Sequence, residues 1–168
     1  MSKDEGIRWG IIGTGGIARV FAQDLTKYTN QKIAAVGSRN IETAEKFAAQ
    51  YGARPFGSYE ALVNAEIDAV YVATPHVFHA ANTILALTAG KPVLVEKPFA
   101  INAIQAREMI GVARKANLLL MEAMWSRYLP HFRKIREIVG SGELGEIIEV
   151  IAEHGQPLPY PKYLRLHE

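Results

Sequence analysis

The segment VLVEKPFA, residues 93–100, ends a short apolar run with Glu96, Lys97 and Pro98. Three consecutive apolar residues are typical of a buried strand, so the charged pair falls at the carboxyl end of that strand. A fixed ammonium there can hold the oxygen of a carbinol and favour the negative charge that develops on it. Pro98 would then fix the direction of Lys97, and Glu96 would orient the lysine or bond a ribose hydroxyl. The alternative is a surface ion pair, a common feature of small energy.

A glycine-rich turn lies near the amino terminus. In GIIGTGGIA, an apolar run is followed by Gly13, Gly15 and Ala18 in the spacing G-x-G-x-x-A. Gly13 permits a tight turn, Gly15 lets the backbone approach a pyrophosphate, and Ala18 lets the next helix pack closely against a sheet. A glycine turn without a ligand, or one that binds S-adenosylmethionine, has a similar pattern. The cofactor-binding residues predicted in this turn are Gly13, Thr14, Gly15, Gly16 and Ile17.

The second apolar run, AAVGSRN, predicts which dinucleotide binds. A site for NAD usually carries an acidic residue about 20 positions after the glycines, where it holds the ribose 2′-hydroxyl. This chain has Ser38 and Arg39 in that neighbourhood. A hydroxyl and a guanidinium suit a 2′-phosphate, because arginine can bind it through two charge-assisted hydrogen bonds. The pattern therefore favours NADP over NAD, the alternative being a turn arginine exposed to solvent.

A threonine, a proline and two histidines follow the fourth apolar run, AVYVATPHVFHAA. Thr74 and Pro75 break the predicted strand at its carboxyl end and would line the path of the cofactor. His76 and His79 are three residues apart and could share one face of a helix. No third ligand stands at a suitable spacing, so we expect no metal site. We assign His79 to the residues that line the cofactor.

The glycine turn and the polar residues at the ends of the apolar runs can act together only if strands and helices bring them to one edge of a sheet. Short Ile- and Val-rich runs alternate with segments of helical period, which predicts a doubly wound α/β fold with a parallel sheet covered on both faces. The predicted strands are residues 8–13, 32–38, 54–56, 69–73, 93–96 and 118–122. The predicted helices are residues 16–28, 41–51, 58–64, 77–89 and 103–116. Such sheets bind ligands beyond the carboxyl ends of their strands.

The pattern changes after residue 122. Pro130 is expected to open a helix that ends near Ser141, GSGELG is a turn, and residues 146–154 alternate like a half-buried strand. We therefore expect a dinucleotide-binding domain over residues 1–124. Residues 125–168 would form a linking helix and the start of an incomplete α+β substrate domain.

Composition excludes several classes of function. The 168 residues include 19 basic and 17 acidic side chains, which are interspersed and show no basic stripe for a phosphate backbone. No nucleic acid or membrane partner is therefore expected, and no apolar run is long enough to cross a bilayer. The chain has no cysteine and no visible signal peptide, so a cytoplasmic location is expected.

Together these motifs resemble the glucose-fructose oxidoreductase and inositol dehydrogenase family. The resemblance lies in GIIGTGGIA, ATPHVFHAANTILALTAGKPVLVEKPFAIN and GELGEI, in that order. The segment MEAMWSRYLPHF is similar to the branch that contains dimeric dihydrodiol dehydrogenases and NADP-dependent D-xylose dehydrogenases. Where many relatives have asparagine after the Thr-Pro pair, this chain has His76.

The resemblance implies roles for particular residues. Lys97 would be catalytic, Glu96 would contact the ribose, and Trp125 and Arg127 would border the nicotinamide and the substrate. The cofactor-binding set is Gly13, Thr14, Gly15, Gly16, Ile17, Ser38, Arg39, Thr74, Pro75, His79, Glu96, Lys97, Trp125 and Arg127.

The resemblance also implies a reaction and an assembly. The expected protein is an NADP-dependent oxidoreductase of a sugar, polyol or dihydrodiol hydroxyl, present here mainly as its cofactor-binding domain. Members of this family continue past residue 168 into a second domain that supplies the acid-base partner of the lysine and usually the dimer interface. The 168-residue chain alone is therefore expected to be inactive, and the full-length form to be a homodimer. The alternatives are a non-catalytic NADP-binding module and a methyltransferase, against which the Glu96-Lys97-Pro98 signature argues.

Overall fold

The computed structural model of the chain describes residues 6–155. The chain divides into two compact units, Met1–Met124 and Trp125–Glu168. The strands of the first unit are β1 (Arg8–Ile12), β2 (Lys32–Gly37), β3 (Arg54–Phe56), β4 (Ala69–Val72), β5 (Val93–Val95) and β6 (Leu120–Glu122). Its helices are α1 (Gly16–Tyr28), α2 (Ile41–Ala48), α3 (Tyr59–Val63), α4 (His79–Thr88) and α5 (Ala103–Ala116), with a 3-10 helix at His76–Phe78. The second unit contains a 3-10 helix at Trp125–Tyr128 and helix α6 (Pro130–Ser141).

The six strands form one sheet in the order β3-β2-β1-β4-β5-β6, and every pairing is parallel. The chain moves outward from β1 to β3 and then returns to pair β4 with β1. The order therefore reverses between β1 and β4, and a crevice opens beyond the carboxyl ends of strands at such a reversal. This topology confirms the predicted doubly wound sheet.

Two apolar clusters cover the two faces of the sheet. Ile11 belongs to the cluster that includes Ala18, Ala22 and other residues of α1 and α2. Its neighbour Ile12 belongs to the cluster formed with α3, α4 and α5. Successive side chains of a strand point to opposite faces, so one strand contributes to both layers. This two-sided burial explains why the strands are apolar runs and do not alternate with polar residues.

Side-chain caps begin three of the helices. Asn40 Oδ1 accepts from the amide of Glu42 at 2.9 Å, and Asn102 Oδ1 accepts from the amide of Gln105 at 3.0 Å. Ser58 Oγ accepts from the amide of Ala61 at 3.2 Å. The caps satisfy backbone donors that have no partner within the helix. Helices α2 and α5 begin at the predicted residues, and α3 begins one residue later than predicted, with Ser58 as its cap.

Some boundaries differ from the prediction. Helix α2 ends at Ala48, because the amides of Tyr51 and Ala53 both turn back to the Ala48 carbonyl. The helix predicted over residues 77–89 is divided into a 3-10 turn and α4. Strand β6 starts at Leu120, and Leu118 instead closes the end of α5, where its amide donates to the Ala113 carbonyl at 2.9 Å.

The strand predicted over residues 146–154 is not formed in the part of the second unit that the structure describes. The side chains of Ile148, Val150 and Ile151 are 91%, 81% and 77% exposed. A strand requires a neighbour to receive its backbone hydrogen bonds, and none of the described pairings includes this segment. Alternation of apolar residues alone therefore did not produce a strand. Helix α6 has the bounds expected from Pro130 and the residues after it.

Candidate functional site

The segments predicted to do chemistry follow four strands of one sheet. The glycine turn follows β1, Ser38 and Arg39 follow β2, Thr74 follows β4, and Glu96 follows β5. Carboxyl ends of parallel strands lie at the same edge, so the fold brings these segments together.

Gly13 is required where the backbones of β1 and β4 come close. Its φ is +106°, and an added Cβ would lie 2.6 Å from the carbonyl oxygen of Ala73. Any other residue would be strained in this conformation and would also clash with backbone. Gly15 is the N-cap of α1 and has no neighbouring atom within 4 Å of the position of a Cβ. The start of α1 is thus open to a ligand, and no side chain caps its amides.

The end of β2 carries a hydroxyl and a guanidinium without a carboxylate. Ser38 Oγ lies 2.7 Å from Thr43 Oγ1 and accepts from the Asn40 amide at 3.3 Å. Arg39 is exposed, and its guanidinium carbon lies 5.4 Å from the centre of the Phe78 ring. None of the ion pairs among residues 6–155 involves Arg39. An anion could therefore be bound here without displacing an acidic side chain.

Thr74 is held from two sides at the end of β4. Its hydroxyl accepts from Asn82 Nδ2 at 3.1 Å, and its carbonyl lies 2.9 Å from His79 Nε2. Only 9% of Thr74 is exposed, whereas Pro75 is exposed. These bonds fix the loop that leaves β4, so backbone of this loop can border a ligand in one defined conformation.

His79 lies inside the protein, although the sequence predicts that it lines the cofactor. The ring has no exposed surface. Its Nδ1 lies 2.8 Å from the carbonyl oxygen of Pro98, while Nε2 faces the carbonyl oxygen of Thr74. Both ring nitrogens are engaged with backbone, which leaves neither of them for a ligand. The geometry makes His79 a bridge between the loop after β4 and the turn that contains Lys97.

We expect replacement of His79 by leucine to lower the free energy of unfolding by about 1–3 kcal/mol, since the hydrogen bond that the buried ring donates to a backbone carbonyl would be lost. Urea denaturation followed by circular dichroism measures this change. His131→Leu is the control, because His131 is exposed on α6. Equal midpoints for both variants and the parent would contradict the bridging role.

Four hydrogen bonds hold the turn that contains Lys97. Glu96 Oε1 accepts from the hydroxyl of Tyr71 at 2.6 Å, and Glu96 Oε2 accepts from the Lys97 amide at 3.1 Å. Glu122 Oε1 accepts from the Phe99 amide at 2.8 Å, and the Pro98 carbonyl faces His79. The Lys97–Pro98 peptide bond is cis. The backbone around Lys97 is thus fixed by side chains from β4, α4 and β6 and by Glu96, which follows β5.

The Lys97 ammonium remains available to a ligand. Lys97 is exposed, and no ion pair within the described part of the chain joins it to Glu96. The Glu96 carboxylate instead interacts with the Tyr71 hydroxyl and with backbone. Burial, followed by the hydrogen bond to Glu96 and its negative charge, raises the pKa of Tyr71 well above its ordinary value, so Tyr71 stays a neutral donor. The structure therefore does not contain the surface ion pair that was the alternative for this segment.

Sequence reasoning missed Tyr71 and Glu122. Tyr71 is a fully buried polar aromatic within an apolar strand, and Glu122 ends β6 at the same edge as Glu96. A buried tyrosine hydroxyl usually needs a hydrogen-bond partner, and this requirement could have identified Tyr71. The position of an acidic residue at the end of β6, the strand after β5, could have identified Glu122.

Trp125 and Arg127 lie in the second unit, in the 3-10 helix Trp125–Tyr128. Trp125 is 65% exposed, and the Arg127 carbonyl accepts from Arg136 Nη2 at 3.0 Å. Their predicted contacts with nicotinamide and substrate stay predictions.

Residues 6–155 contain no group of three potential metal ligands, and no helix among them is both long enough and apolar enough to cross a membrane.

A cavity of about 510 Å³ lies at the edge of the sheet opposite the carboxyl edge, near the amino ends of β1, β4 and β5. Its lining is almost entirely apolar and includes Trp9, Leu94 and Met121. It lacks the convergent polar groups that a catalytic site needs.

The reversed strand order and the open glycine turn define a dinucleotide-binding α/β domain. A family model described as "Oxidoreductase family, NAD-binding Rossmann fold" (GFO_IDH_MocA) matches residues 7–124. The chain belongs to this family, which confirms the resemblance seen in the sequence.

Individual relatives agree with this assignment. The chain is 42% identical over 161 residues to D-xylose 1-dehydrogenase (NADP(+)) of Hypocrea jecorina, a match that covers 88% of this chain and 41% of the relative. It is 37% identical over 158 residues to trans-1,2-dihydrobenzene-1,2-diol dehydrogenase of Mus musculus, covering 92% and 47%. The crystal structure of the 3-ketoreductase KijD10 of Actinomadura kijaniata with NADP and TDP-benzene matches with a TM-score of 0.75 and 37% identity, covering 82% and 43%. The matches thus span less than half the length of these relatives.

Proposed function

We propose that the chain forms the NADP(H)-binding part of an oxidoreductase that acts on a hydroxyl group of a sugar, polyol or dihydrodiol. The observation that carries the proposal is the carboxyl edge of the sheet. An open glycine turn follows β1, and a guanidinium without a carboxylate partner among residues 6–155 follows β2. Beyond β5 lies the exposed Lys97, whose backbone is held by hydrogen bonds. The names of the D-xylose dehydrogenase and of the KijD10 complex, which both include NADP, support the same cofactor.

The residues at this edge fit the parts of NADP in order. Gly13 would allow the tight turn beside the Ala73 backbone, and Gly15, which has no atom within 4 Å of a Cβ, would leave room for a pyrophosphate. Thr14, Gly16 and Ile17 complete the start of α1, whose amides favour an anion. Ser38 and Arg39 would hold the 2′-phosphate, while Thr74 and Pro75 would line the path toward β5.

The bound cofactor would supply a nicotinamide ring that accepts or delivers a hydride. Lys97 would hold the oxygen of the reacting carbinol or carbonyl and stabilise negative charge on it. Glu96 would hold the Lys97 backbone and present its carboxylate toward the ribose. Tyr71 and Glu122 would keep this turn in place, since each donates to or accepts from one of its groups. A backbone held in this way fixes the point from which the Lys97 side chain extends toward a substrate.

The domain boundaries are part of the proposal. Residues 1–124 would be the dinucleotide-binding domain, and residues 125–168 the linking helix and the start of a substrate domain in which Trp125 and Arg127 border the reacting groups. The division of the chain after Met124 supports this boundary. We also propose a homodimer for the full-length form and a cytoplasmic location, which light scattering and cell fractionation would test.

Titration of the 168-residue chain with NADPH tests the cofactor assignment. We expect saturable binding, followed by NADPH fluorescence, and no response to S-adenosylmethionine. Gly15→Val should weaken NADPH binding by about ten-fold, because a branched side chain would occupy the approach of the pyrophosphate. Gly111→Val is the matched control, since Gly111 in α5 also has no atom within 4 Å of a Cβ. Absence of NADPH binding by the parent chain would refute the proposal.

An activity assay with D-xylose, other polyols and dihydrodiols tests the second part. We expect NADPH binding without appreciable turnover by the 168 residues alone, because substrate positioning accounts for several kcal/mol of a barrier and the matches span less than half of each relative. Robust NADP reduction by a monomer would show that an acid-base group lies within these residues.

A further inference from the structure

The Glu96 carboxylate is bonded through both of its oxygens. Its Oε1 accepts from the Tyr71 hydroxyl at 2.6 Å, and its Oε2 accepts from the Lys97 amide at 3.1 Å. A carboxylate next to a lysine in the sequence could instead pair with the ammonium, but the ion pairs among residues 6–155 do not include this one. The bond from Tyr71 is short and partly buried, whereas an exposed ion pair contributes little. The hydroxyl therefore holds the carboxylate against the competing ammonium.

The sheet places Glu96 and Tyr71 on the same face. Tyr71 pairs with Leu94 in the register of β4 and β5, and both side chains pack in the cluster on the face covered by α1 and α2. The Glu96 amide donates to the Val72 carbonyl at 2.9 Å, so the ladder continues one residue beyond β5. Because side chains alternate along a strand, Glu96 lies on the same face as Leu94. This is the face of α1, the helix that begins at the glycine turn.

An aromatic stack fixes the ring of Tyr71. The ring centre of Phe21 in α1 lies 3.9 Å from that of Tyr71, with an angle of 22° between the planes. Trp9 contacts the Phe21 ring edge-on, with 5.4 Å between the ring centres. Only 1% of Tyr71 is exposed. A ring that is packed in this way samples few rotamers, so the hydroxyl is directed at Glu96 before any ligand binds.

We propose that Tyr71 is a positioning residue that holds the Glu96 carboxylate on the α1 face, away from the Lys97 ammonium, so that it meets the nicotinamide ribose of the bound cofactor. The inference rests on the proposed function, because it takes a dinucleotide as the ligand of the carboxyl edge. A carboxylate that is oriented in advance binds a ribose hydroxyl at a smaller entropic cost. Each carboxylate oxygen can accept more than one hydrogen bond, so the ribose need not displace Tyr71.

The test uses nucleotides that contain or lack the nicotinamide ribose. Tyr71→Phe removes the hydroxyl and keeps the stacked ring. We expect the dissociation constants of the 168-residue chain for NADPH and NADH, measured by fluorescence, to rise alike by about three- to ten-fold, the scale of one lost hydrogen bond. Adenosine 2′,5′-bisphosphate has no nicotinamide ribose, so its affinity, measured by calorimetry, should not change. A variant with a damaged fold would bind this fragment less tightly as well.

A control and a double-mutant cycle separate positioning from packing. Tyr51→Phe is the matched control, because Tyr51 packs against the same cluster but precedes β3, away from the carboxyl edge. It should change none of the three constants. Glu96→Ala should weaken NADPH binding and spare the bisphosphate. In that background Tyr71→Phe should have no further effect, since no carboxylate would remain to be oriented.

The inference is overturned if Tyr71→Phe leaves NADPH affinity unchanged. It is also overturned if Tyr71→Phe weakens binding of the bisphosphate to the same degree, or still weakens NADPH binding in the Glu96→Ala background, because the hydroxyl would then act through the packing of the whole domain. A parent chain that binds neither NADPH nor the bisphosphate would instead refute the proposed function, so the two failures are distinguishable.

Discussion

Replacing Lys97 by methionine is expected to lower kcat by about two orders of magnitude or more, the usual scale for a lost acid-base or electrostatic group. Methionine keeps most of the length of the side chain and removes the ammonium that would stabilise charge on the reacting oxygen. Cofactor affinity and stability should change little, because Lys97 is exposed and makes no ion pair within the described residues. The turn around Lys97 is held by hydrogen bonds of its backbone amides to Glu96 and Glu122 and by the bond from Tyr71 to Glu96, none of which uses the Lys97 side chain.

The measurement needs a catalytically complete protein. We suggest a fusion of this cofactor-binding region to the remaining part of the Hypocrea jecorina D-xylose 1-dehydrogenase, assayed with D-xylose and NADP. Lys115→Met is the control, since Lys115 is exposed at the end of α5. If Lys97→Met retained near-parental turnover while the control behaved alike, Lys97 would have no catalytic role.

Replacing Arg39 by aspartate is expected to reverse the cofactor preference. A hydrogen bond to a charged group contributes about 1.5–3 kcal/mol, so loss of the guanidinium should weaken NADPH binding by about ten- to hundred-fold. The new carboxylate would repel the 2′-phosphate and accept from the ribose hydroxyl of NAD. NADH affinity should therefore be retained or rise. Calorimetric titration of the 168-residue chain with both nucleotides measures the change.

Arg54→Asp is a matched control for this variant. The guanidinium carbon of Arg54 lies 5.1 Å from the centre of the Phe56 ring, a contact similar to that of Arg39 with Phe78. Arg54 begins β3 and does not belong to the carboxyl edge. The Arg54→Asp variant should leave the affinities for NADPH and NADH unchanged. Equal affinities of the parent chain for NAD and NADP would already contradict the assignment of Ser38 and Arg39.

Local patterns in the sequence determined most of the fold. The alternation of apolar runs with helical segments predicted all six strands and their parallel class, because two-sided burial and helical periodicity are read within a few residues. The helix starts predicted near residues 41, 58 and 103 were also local, because the caps Asn40, Ser58 and Asn102 bond to amides two or three residues away. The glycine turn was recognisable for the same reason, since its spacing reflects a local change of backbone direction.

Patterns that need a distant partner were less informative. Residues 146–154 alternate like a strand, yet no described strand pairs with them. Alternation shows only that a segment could have two different faces, whereas a strand also requires a neighbour that receives its hydrogen bonds. The need for a distant partner also explains why the predicted strand began at Leu118, whereas β6 begins at Leu120. The Leu118 amide closes the end of α5, and that contact competes with strand formation.

The amino-acid sequence alone determined which side chains stand at the ends of the strands, including Arg39, Thr74, Glu96 and Lys97. Only the tertiary structure decided what those side chains contact. It placed the His79 ring between the carbonyls of Thr74 and Pro98, 5 and 19 residues away along the chain. It also joined Glu96 to Tyr71 across 25 residues. A buried polar group must find its partner wherever the packing of the sheet and helices brings one, and sequence spacing does not encode that position.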